Sequence, residues 1–284
     1  MKDILVTGAG GQLGAALARQ ISNHPRIRLH LFSRSKLDIA NAAAVSQHFS
    51  DHQYYGVINC AAYTAVDLAE SNREEAFKIN AQGAANVARA CLDSASKLFH
   101  ISTDYVFNGE SNTPYLETDE LNPINVYGES KAEGERLIQE LNADASVIRT
   151  SWLVDPEGRN FVNTMKRLGI ERDSIQVVDD QISSPTWAPL LADGLLCAIA
   201  EEQDLSGLYH YAHDNECSWK NFAELIFDVL DIECKVYAVK TKDFGASARR
   251  PKYSKLDTTK LKGIGSFQFP KWDEATRQFL QLSE

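Results

Sequence analysis

The chain has 284 residues, of which 44% are hydrophobic and 24% charged, values typical of a globular enzyme. Its net charge of −10 argues against nucleic acid as a partner. No apolar run approaches the roughly 20 residues that cross a bilayer, and Met1 leads directly into an apolar strand pattern, so neither a membrane partner nor a signal peptide is expected. The five scattered cysteines form no Cys-x-x-Cys pair, which argues against a disulfide framework and predicts a cytoplasmic protein.

The first half of the chain alternates apolar strands with amphipathic helices, an order typical of βαβ units around a parallel sheet. The predicted strands cover residues 4–6, 29–32, 57–60, 98–102 and 146–149. The spacing of apolar residues predicts helices at 13–21, about 74–92 and 126–141. We therefore predict an α/β fold with a Rossmann-type, doubly wound parallel sheet, and a dinucleotide-binding domain over residues 1–152.

The second half carries shorter elements separated by Pro and Gly, which predicts a smaller C-terminal substrate-binding lobe over residues 153–284. Within it, the segment of about 186–212 is expected to return to the Rossmann domain, with a strand at 208–212 in the main sheet. The stretch 235–262 has a net charge of +7 in an acidic protein. Such a patch suits a small anionic ligand, although a solvated basic face would explain it as well. Further helices are predicted near 222–230 and 274–282.

A glycine-rich segment follows the first predicted strand and precedes the first predicted helix. Residues 6–14 have the sequence VTGAGGQLG, in which Gly8, Gly11 and Gly14 show the G-x-x-G-x-x-G spacing and Gly10 adds a fourth glycine. Glycine permits a tight turn, close approach of the backbone to a pyrophosphate, and close packing of the helix on the strand. The helix N-terminus also offers free N–H groups to the phosphates. This segment predicts binding of NAD(H) or NADP(H).

The residues after the second predicted strand bear on the choice between these cofactors. An acidic side chain about 20 residues after the glycines binds the ribose hydroxyls of NAD, whereas an Arg there accommodates the extra phosphate of NADP. Here the strand is followed by Ser33 and Arg34, and the nearest acid is Asp38. We therefore predict NADPH as the preferred cofactor. NADH is the alternative if Arg34 only covers the adenine or points to solvent.

Tyr127 and Lys131 form a Tyr-x-x-x-Lys pair on the helix predicted at 126–141. Four residues make about one helical turn, so both side chains should lie on one face. A nearby ammonium and an oxidised nicotinamide would lower the tyrosine pKa from about 10 toward neutrality. Thr103 lies at the end of a predicted strand, where α/β sheets place ligands, and its hydroxyl could hydrogen-bond a substrate oxygen. The three residues together predict reduction of a carbonyl group.

These features resemble those of the extended short-chain dehydrogenase/reductase superfamily, and in particular the dTDP-4-dehydrorhamnose reductases. The strings that carry the resemblance span almost the whole chain: GGQLG at 10–14, LDI at 37–39, NCAAYTAVDLAE at 59–70, STDYVFNG at 102–109, YGESKAEGE at 127–135, RTSWL at 149–153, the Asp-Gln-x-x-x-Pro-Thr stretch at 180–186, and Arg250-Pro251 with Ser254-x-Leu256. The resemblance implies reduction of the 4-keto group of dTDP-4-dehydro-L-rhamnose to give dTDP-L-rhamnose, a precursor of cell-surface polysaccharide.

The resemblance also implies roles for individual residues. Tyr127 would donate the proton to the sugar oxygen, Lys131 would hold the nicotinamide ribose, and Asn80 would support the site through the backbone. The implied substrate contacts are Thr103, Asp104, Trp152 and Arg250. Motif and resemblance together give as dinucleotide contacts Gly8, Gly10, Gly11, Gln12, Leu13, Gly14, Ser33, Arg34, Asp38, Ile39, Ala61, Ala62, Tyr63, Thr64, Asn80, Tyr127 and Lys131.

Other functions fit the same residues. A different nucleotide-sugar 4-ketoreductase or an epimerase on this fold would use Tyr127, Lys131 and Thr103 alike. A non-catalytic regulatory subunit, similar to the partner of methionine adenosyltransferase, would bind the dinucleotide without turning it over. The pair His210-x-x-His213 lacks a third ligand and is expected to be structural, so no metal site is predicted. The sequence leaves open whether the protein is a monomer or a homodimer.

Overall fold

A computed structural model describes residues 1–141 and 145–281 of the chain. The strands within these ranges are β1 Lys2–Thr7, β2 Ile27–Phe32, β3 Gly56–Asn59, β4 Lys97–Thr103, β5 Ser146–Thr150, β6 Leu153–Val154, β7 Ser174–Val178, β8 Ile182–Ser183, β9 Thr186–Trp187, β10 Gly207–Tyr211, β11 Cys217–Ser218 and β12 Lys235–Val239. The α-helices are α1 Gln12–Gln20, α2 Ala42–Asp51, α3 Val66–Ala69, α4 Arg73–Phe77, α5 Ala84–Asp93, α6 Val126–Leu141, α7 Phe161–Glu171, α8 Ala188–Ala200, α9 Trp219–Val229, α10 Thr241–Phe244, α11 Thr259–Lys262 and α12 Trp272–Gln281. Short 3₁₀ turns cover Ile21–Asn23 and Asp104–Val106.

The main sheet has six parallel strands in the order β10-β5-β4-β3-β1-β2. One face of this sheet packs on α1 and α8, with Leu17 and Leu195 fully buried between the layers. The other face packs on α2, α5 and α6, where Val87 and Ile138 are fully buried. Helices on both faces of a parallel sheet confirm the predicted Rossmann-type α/β fold. All five strands predicted in the first half are present.

The C-terminal half contributes to both the main sheet and a separate core. β10 pairs in parallel with β5 at one edge of the main sheet, in agreement with the strand predicted at 208–212. A further core lies among α7, α9 and α12, with Val162, Phe222 and Ile226 fully buried. Three two-stranded sheets accompany it, namely β11 with β8, β12 with β7 and β6 with β9. The division into domains at residue 152 stays a prediction.

One predicted helix differs from the expectation, and the end of another lies outside the described residues. The helix predicted at about 74–92 is interrupted by a π-helical segment over Lys78–Gly83, which lies between α4 and α5. Because apolar periodicity does not distinguish an i+5 from an i+4 turn over so few residues, the sequence alone could not place it. The end of the last predicted helix, Leu282, falls outside the described residues. Within residues 1–141 and 145–281, no helix is both long and apolar enough to cross a bilayer.

Candidate active site

The glycine turn connects β1 to α1 at the carboxyl edge of the main sheet. Gly8 has φ +67°, and a Cβ at this position would lie 2.5 Å from the backbone nitrogen of Ala61, so no other residue fits there without displacing the loop after β3. A Cβ at Gly10 would meet nothing within 4 Å, which leaves the backbone open to a ligand. Gly11 is the N-cap of α1 and has no capping side chain, so the first N–H groups of the helix face outward.

Gln12 is the first residue of α1 and directly follows the glycine turn. Its amide nitrogen donates to the carbonyl oxygen of Leu153 at 3.0 Å. Its amide oxygen is buried and has no hydrogen-bond partner among the described residues. A buried acceptor without a donor costs about 1–3 kcal/mol, so this atom marks a place where a donor from a ligand would be stabilising.

The segment after β2 holds the predicted cofactor-selecting residues at the rim of the site. Arg34 is largely exposed and pairs with Glu75 at 2.8 Å and with Asp38 at 3.5 Å. These two carboxylates raise the pKa of Arg34, which therefore stays charged. Asp38 also caps the backbone N–H of Ala40 at 3.0 Å. The Arg34 guanidinium thus lies after β2, at the position where NADP-dependent proteins of this fold contact the ribose phosphate. Its ion pairs with Asp38 and Glu75 fix its position.

Asn80 lies in the π-helical segment and fixes the loop after β3. Its amide accepts from the backbone N–H of Tyr63 at 2.7 Å and donates to the Tyr63 carbonyl at 3.0 Å. The same amide nitrogen donates to Ser130 of α6 at 2.9 Å. Asn80 is 1% exposed, so it holds this loop from the protein interior and not from the surface of the site. π-helical segments frequently occur at functional sites, and here the segment aims one amide at the loop that carries the predicted contacts 61–64.

Thr103, Asp104 and Tyr127 lie together at the end of β4. The Thr103 hydroxyl donates to Asp104 Oδ1 at 3.1 Å and accepts the backbone N–H of Tyr105 at 3.2 Å, and both Thr103 and Asp104 lie close enough to the Tyr127 phenol to act on its pKa. The other oxygen of Asp104 accepts from Ser254 Oγ at 2.5 Å. Burial raises the pKa of Asp104 to about 7, and the bonds from Ser254 and Thr103 oppose the rise.

The pKa of Tyr127 differs from the sequence expectation. Removal of the phenol from water raises its pKa to about 12, the bond with Thr103 opposes this rise, and the Asp104 carboxylate adds to it. Lys131, expected to lower this pKa, instead donates from Nζ to the Ile101 carbonyl at 2.7 Å and lies 3.1 Å from His100 Nε2. The Lys131 amine is held at the β4 backbone, and Lys131 is not among the groups that shift the pKa of Tyr127. The expectation that the lysine and an oxidised nicotinamide together lower this pKa stays a prediction.

The Lys131 amine is itself strongly perturbed. It is 2% exposed, and burial lowers its pKa to about 8. The Glu135 carboxylate one turn further along α6 and the Cys60 thiol at the end of β3 oppose this change. Strongly shifted groups that lie together at the carboxyl edge of a parallel sheet are typical of a catalytic site.

Trp152 follows β5 with φ +44°, a left-handed conformation that costs a bulky residue energy. Its indole stacks on that of Trp219, with ring centroids 3.6 Å apart and planes inclined by 12°. The Trp219 indole in turn donates to Gln181 at 3.2 Å. Stacking on Trp219 therefore stabilises the unfavourable backbone conformation of Trp152, and it connects the end of β5 to α9. Sequence analysis predicted Trp152 and missed Trp219, which lies 67 positions along the chain.

Arg250 lies on the C-terminal half and contacts the Rossmann half. Its guanidinium forms a two-bond pair with Asp67 of α3, at 3.0 and 2.6 Å, and donates to the Ala248 carbonyl at 3.0 Å. It also hydrogen-bonds Tyr105, whose ring lies edge-to-face with that of Tyr127 at 5.9 Å between centroids. The structure thus brings Arg250 to the predicted catalytic tyrosine by way of Tyr105. Asp67 was not identified as its partner from the sequence.

The two histidines of the His-x-x-His pair have structural hydrogen bonds, as expected. His213 Nε2 accepts the backbone N–H of Trp187 at 3.0 Å, and His210 Nδ1 lies 3.1 Å from the carbonyl oxygens of Tyr115 and Asp257. Within the described ranges, one group of possible metal ligands lies close together: His24, Asp193 and Cys197, whose ligand atoms lie within 4.8 Å of one another. His24 follows the 3₁₀ turn Ile21–Asn23 and the other two residues belong to α8, outside the group around Tyr127. The absence of a metal from the site stays a prediction.

The chain is similar over its whole length to proteins of one family. The family model described as the RmlD substrate binding domain matches residues 1–284. The chain is 39% identical to the dTDP-4-dehydrorhamnose reductase of Aggregatibacter actinomycetemcomitans, with 100% of each chain covered. The chain belongs to the dTDP-4-dehydrorhamnose reductase family. This confirms the family to which the strings along the sequence pointed.

Two further similarities extend the comparison. A crystal structure of dTDP-4-dehydrorhamnose reductase from Bacillus anthracis, in complex with NADP, superposes with a TM-score of 0.94 at 41% identity and 99% coverage of each chain. The spore coat polysaccharide biosynthesis protein SpsK of Bacillus subtilis is 37% identical, with 99% of this chain and 98% of that protein covered. The family match therefore rests on sequence and on fold over nearly the full length.

Proposed function

We propose that this protein reduces the 4-keto group of dTDP-4-dehydro-L-rhamnose to a hydroxyl, with NADPH as the hydride source, and so makes dTDP-L-rhamnose. The observation that supports the proposal is the grouping of Thr103, Asp104 and Tyr127 at the end of β4. This strand and the strand before the glycine turn end at the same edge of the parallel sheet, where a phenol that can give a proton and a turn that can hold a dinucleotide would act together. Family membership supports the identity of the substrate.

The glycine turn fits a dinucleotide on its own geometry. The open backbone at Gly10 and the uncapped start of α1 suit a phosphate, and the unpartnered amide oxygen of Gln12 suits a hydroxyl donor; a dinucleotide carries both groups. NADP bound to the relative from Bacillus anthracis is consistent with that fit. When bound, the nicotinamide supplies a hydride to carbon 4 of the sugar.

The protein's own residues then handle the proton and the charge. Tyr127 keeps its proton at neutral pH, because its pKa is raised to about 12, and gives it to the oxygen at carbon 4 as negative charge develops there. Thr103, whose hydroxyl donates to Asp104 before the sugar binds, would turn this donor to the sugar carbonyl. Lys131, as an ammonium, holds the hydroxyls of the nicotinamide ribose.

The sugar nucleotide is bound by residues from both halves of the chain. The stacked pair of Trp152 and Trp219 offers an apolar face for the deoxysugar. Asp104, whose pKa lies at about 7, can accept from or donate to a sugar hydroxyl. Arg250 is positioned to pair with the diphosphate, since a guanidinium binds phosphate oxygens with two parallel hydrogen bonds.

Arg250→Ala should raise the KM for the sugar nucleotide by roughly ten-fold or more and leave the dissociation constant of NADPH unchanged. The physical reason is the loss of charge-assisted hydrogen bonds, each of about 1.5–3 kcal/mol. Initial rates at varied substrate concentration measure it, with the exposed neighbour variant Arg249→Ala as the control. An unchanged KM in Arg250→Ala would return the basic stretch 235–262 to a solvated face.

Arg34→Ala should reduce the preference for NADPH over NADH by roughly ten-fold in kcat/KM. A guanidinium at the end of β2 favours the extra phosphate, and its loss leaves Asp38 and Glu75 to repel it. Rates with both cofactors measure the effect, and Lys36→Ala removes a nearby cation as the control. If the unmodified protein prefers NADH, the assignment of Arg34 is wrong.

The function is tested by mixing the purified protein with NADPH and dTDP-4-dehydro-L-rhamnose and following the loss of NADPH absorbance. Turnover is expected with this sugar and much slower turnover with a UDP-linked 4-keto sugar. Faster turnover of the UDP-linked sugar would favour another nucleotide-sugar 4-ketoreductase. Binding of NADPH without any turnover would favour a regulatory subunit.

The proposed reaction sets the protein's wider context. The name of the relative SpsK supports a role in making an activated sugar for polysaccharide, and a cytoplasmic location fits a nucleotide-sugar substrate. Monomer and homodimer both remain compatible with the proposal, and gel filtration with light scattering distinguishes them.

A further inference from the structure

A chain of four buried polar side chains crosses the main sheet beneath the candidate site. The Thr7 hydroxyl on β1 donates to Asn59 Oδ1 on β3 at 2.6 Å, and Asn59 Nδ2 lies 3.0 Å from His100 Nδ1 on β4. His100 Nε2 lies 3.1 Å from Lys131 Nζ on α6. All four residues are at most 2% exposed, so water cannot complete their hydrogen bonds. The chain therefore joins the residue before the glycine turn to the predicted catalytic lysine.

The direction of the hydrogen bonds in this chain can be worked out from Asn59. Its amide oxygen faces two donors, the Thr7 hydroxyl and the backbone N–H of Ala61 at 3.3 Å. Its amide nitrogen therefore faces His100 Nδ1. An amide nitrogen only donates, so Nδ1 must accept, and a neutral His100 carries its proton on Nε2. Burial and the Lys131 charge keep the pKa of His100 well below its usual value, which holds the ring neutral.

This tautomer has a consequence for the lysine. The Nε2–H of His100 points at Lys131 Nζ, and an ammonium has no lone pair with which to accept it. Only the neutral amine of Lys131 completes the chain. The groups that favour the ammonium are the Ile101 carbonyl at 2.7 Å and the negative charge of Glu135. The lysine is thus held between two sets of groups that prefer opposite charge states.

We propose that His100, fixed by Asn59 and Thr7, is a positioning residue that holds the Lys131 amine and favours its neutral form. This inference rests on the proposed function, in which the ammonium form of Lys131 is the active one. It makes Thr7, Asn59 and His100 contribute, together with the burial of the lysine, to the pH above which reduction fails. The unmodified protein should lose kcat/KM as the pH rises past about 8, where the lysine loses its proton.

The variant Asn59→Asp reverses the direction of the chain. A carboxylate facing Nδ1 would take the His100 proton to that nitrogen, and the free Nε2 lone pair would then accept from the Lys131 ammonium. We expect the alkaline limb of the pH profile of kcat/KM to move up by about one unit. His100→Gln should move it in the same direction, because the amide oxygen of Gln can accept from the ammonium.

His210→Gln is the matched control, since His210 is a fully buried histidine of the same sheet that contacts Arg149 instead of Lys131. It should leave the alkaline limb in place whatever it does to stability. A merely structural role for His100 predicts lower activity in its variants with an unmoved limb. An unmoved limb in both Asn59→Asp and His100→Gln would overturn the proposal.

A second measurement is independent of turnover. In protein with nitrogen-15-labelled histidine, long-range nitrogen–proton correlation spectra identify the tautomer of each ring, and His100→Gln assigns the signal. We expect the Nε2–H tautomer at His100 in the unmodified protein and the Nδ1–H tautomer in Asn59→Asp. An Nδ1–H ring in the unmodified protein would contradict the proposal even if the keto sugar is reduced. The expected tautomers without turnover would leave the chain intact and reject only the proposed function.

Discussion

Replacing Tyr127 with Phe should lower kcat by about 10²–10⁴-fold, while the KM of the keto sugar and the dissociation constant of NADPH change little. The phenol is the group whose proton is retained at neutral pH and which lies against Thr103. Phe keeps the ring and its edge-to-face contact with Tyr105, so binding and fold should persist. Initial rates under saturating NADPH and keto sugar measure the effect.

The control for this experiment is Tyr209→Phe. That tyrosine is on β10, and its hydroxyl bonds only the Ser206 carbonyl, at 3.3 Å, among the described residues. Its removal should leave kcat nearly unchanged. Circular dichroism checks that both variants are folded. If Tyr127→Phe keeps kcat within about ten-fold of the unmodified value, another group gives the proton, with the buried carboxyl of Asp104 as the first alternative.

Replacing Glu135 with Ala should destabilise the protein by about 3–5 kcal/mol. Glu135 is 1% exposed and forms a two-bond pair with Arg149, which is 2% exposed, the shortest N–O distance being 2.6 Å. Ser102 donates to the same carboxylate. Removal of the acid leaves a guanidinium buried without a counter-charge, against the face of Phe107. Urea unfolding, monitored by far-ultraviolet circular dichroism, measures the loss.

The adjacent residue supplies a matched comparison. Arg136 is about half exposed and pairs with Glu133 and Glu140 on the surface of α6. Arg136→Ala should cost at most about 1 kcal/mol, because exposed ion pairs contribute little. Replacement of Glu135 and Arg149 together by Leu and Met should recover most of the stability, since no charge is then left unpaired. Equal losses in Glu135→Ala and Arg136→Ala would contradict the importance of the buried pair.

The residues of the candidate site that belong to local sequence motifs could be predicted from the sequence. The glycine turn, Thr103 and the Tyr127–Lys131 pair each depend on a local pattern, and the rule that parallel strands end at one edge brings them together. Asp104 and Trp152 could also be predicted, because each lies in a short sequence segment that is specific to the family. These predictions needed no knowledge of long-range packing.

The remainder depends on contacts between distant segments. Arg250 was predicted to reach a phosphate, but its pairing with Asp67 joins residues 183 positions apart, and no local pattern reports it. Trp219 stacks on Trp152 only because the C-terminal half folds against β5. The contact of the Lys131 amine with the Ile101 carbonyl could not be predicted, because helix spacing gives the face on which a side chain lies and not the acceptor that its end reaches.

The most direct test of the proposed reaction is the identity and amount of its product. With NADPH and dTDP-4-dehydro-L-rhamnose, the protein should form dTDP-L-rhamnose in a one-to-one ratio with the NADPH consumed, as measured by chromatography and proton NMR. Formation of the carbon-4 epimer would show that hydride reaches the other face of the sugar. Consumption of no NADPH, with the keto sugar recovered unchanged, would contradict the proposed function.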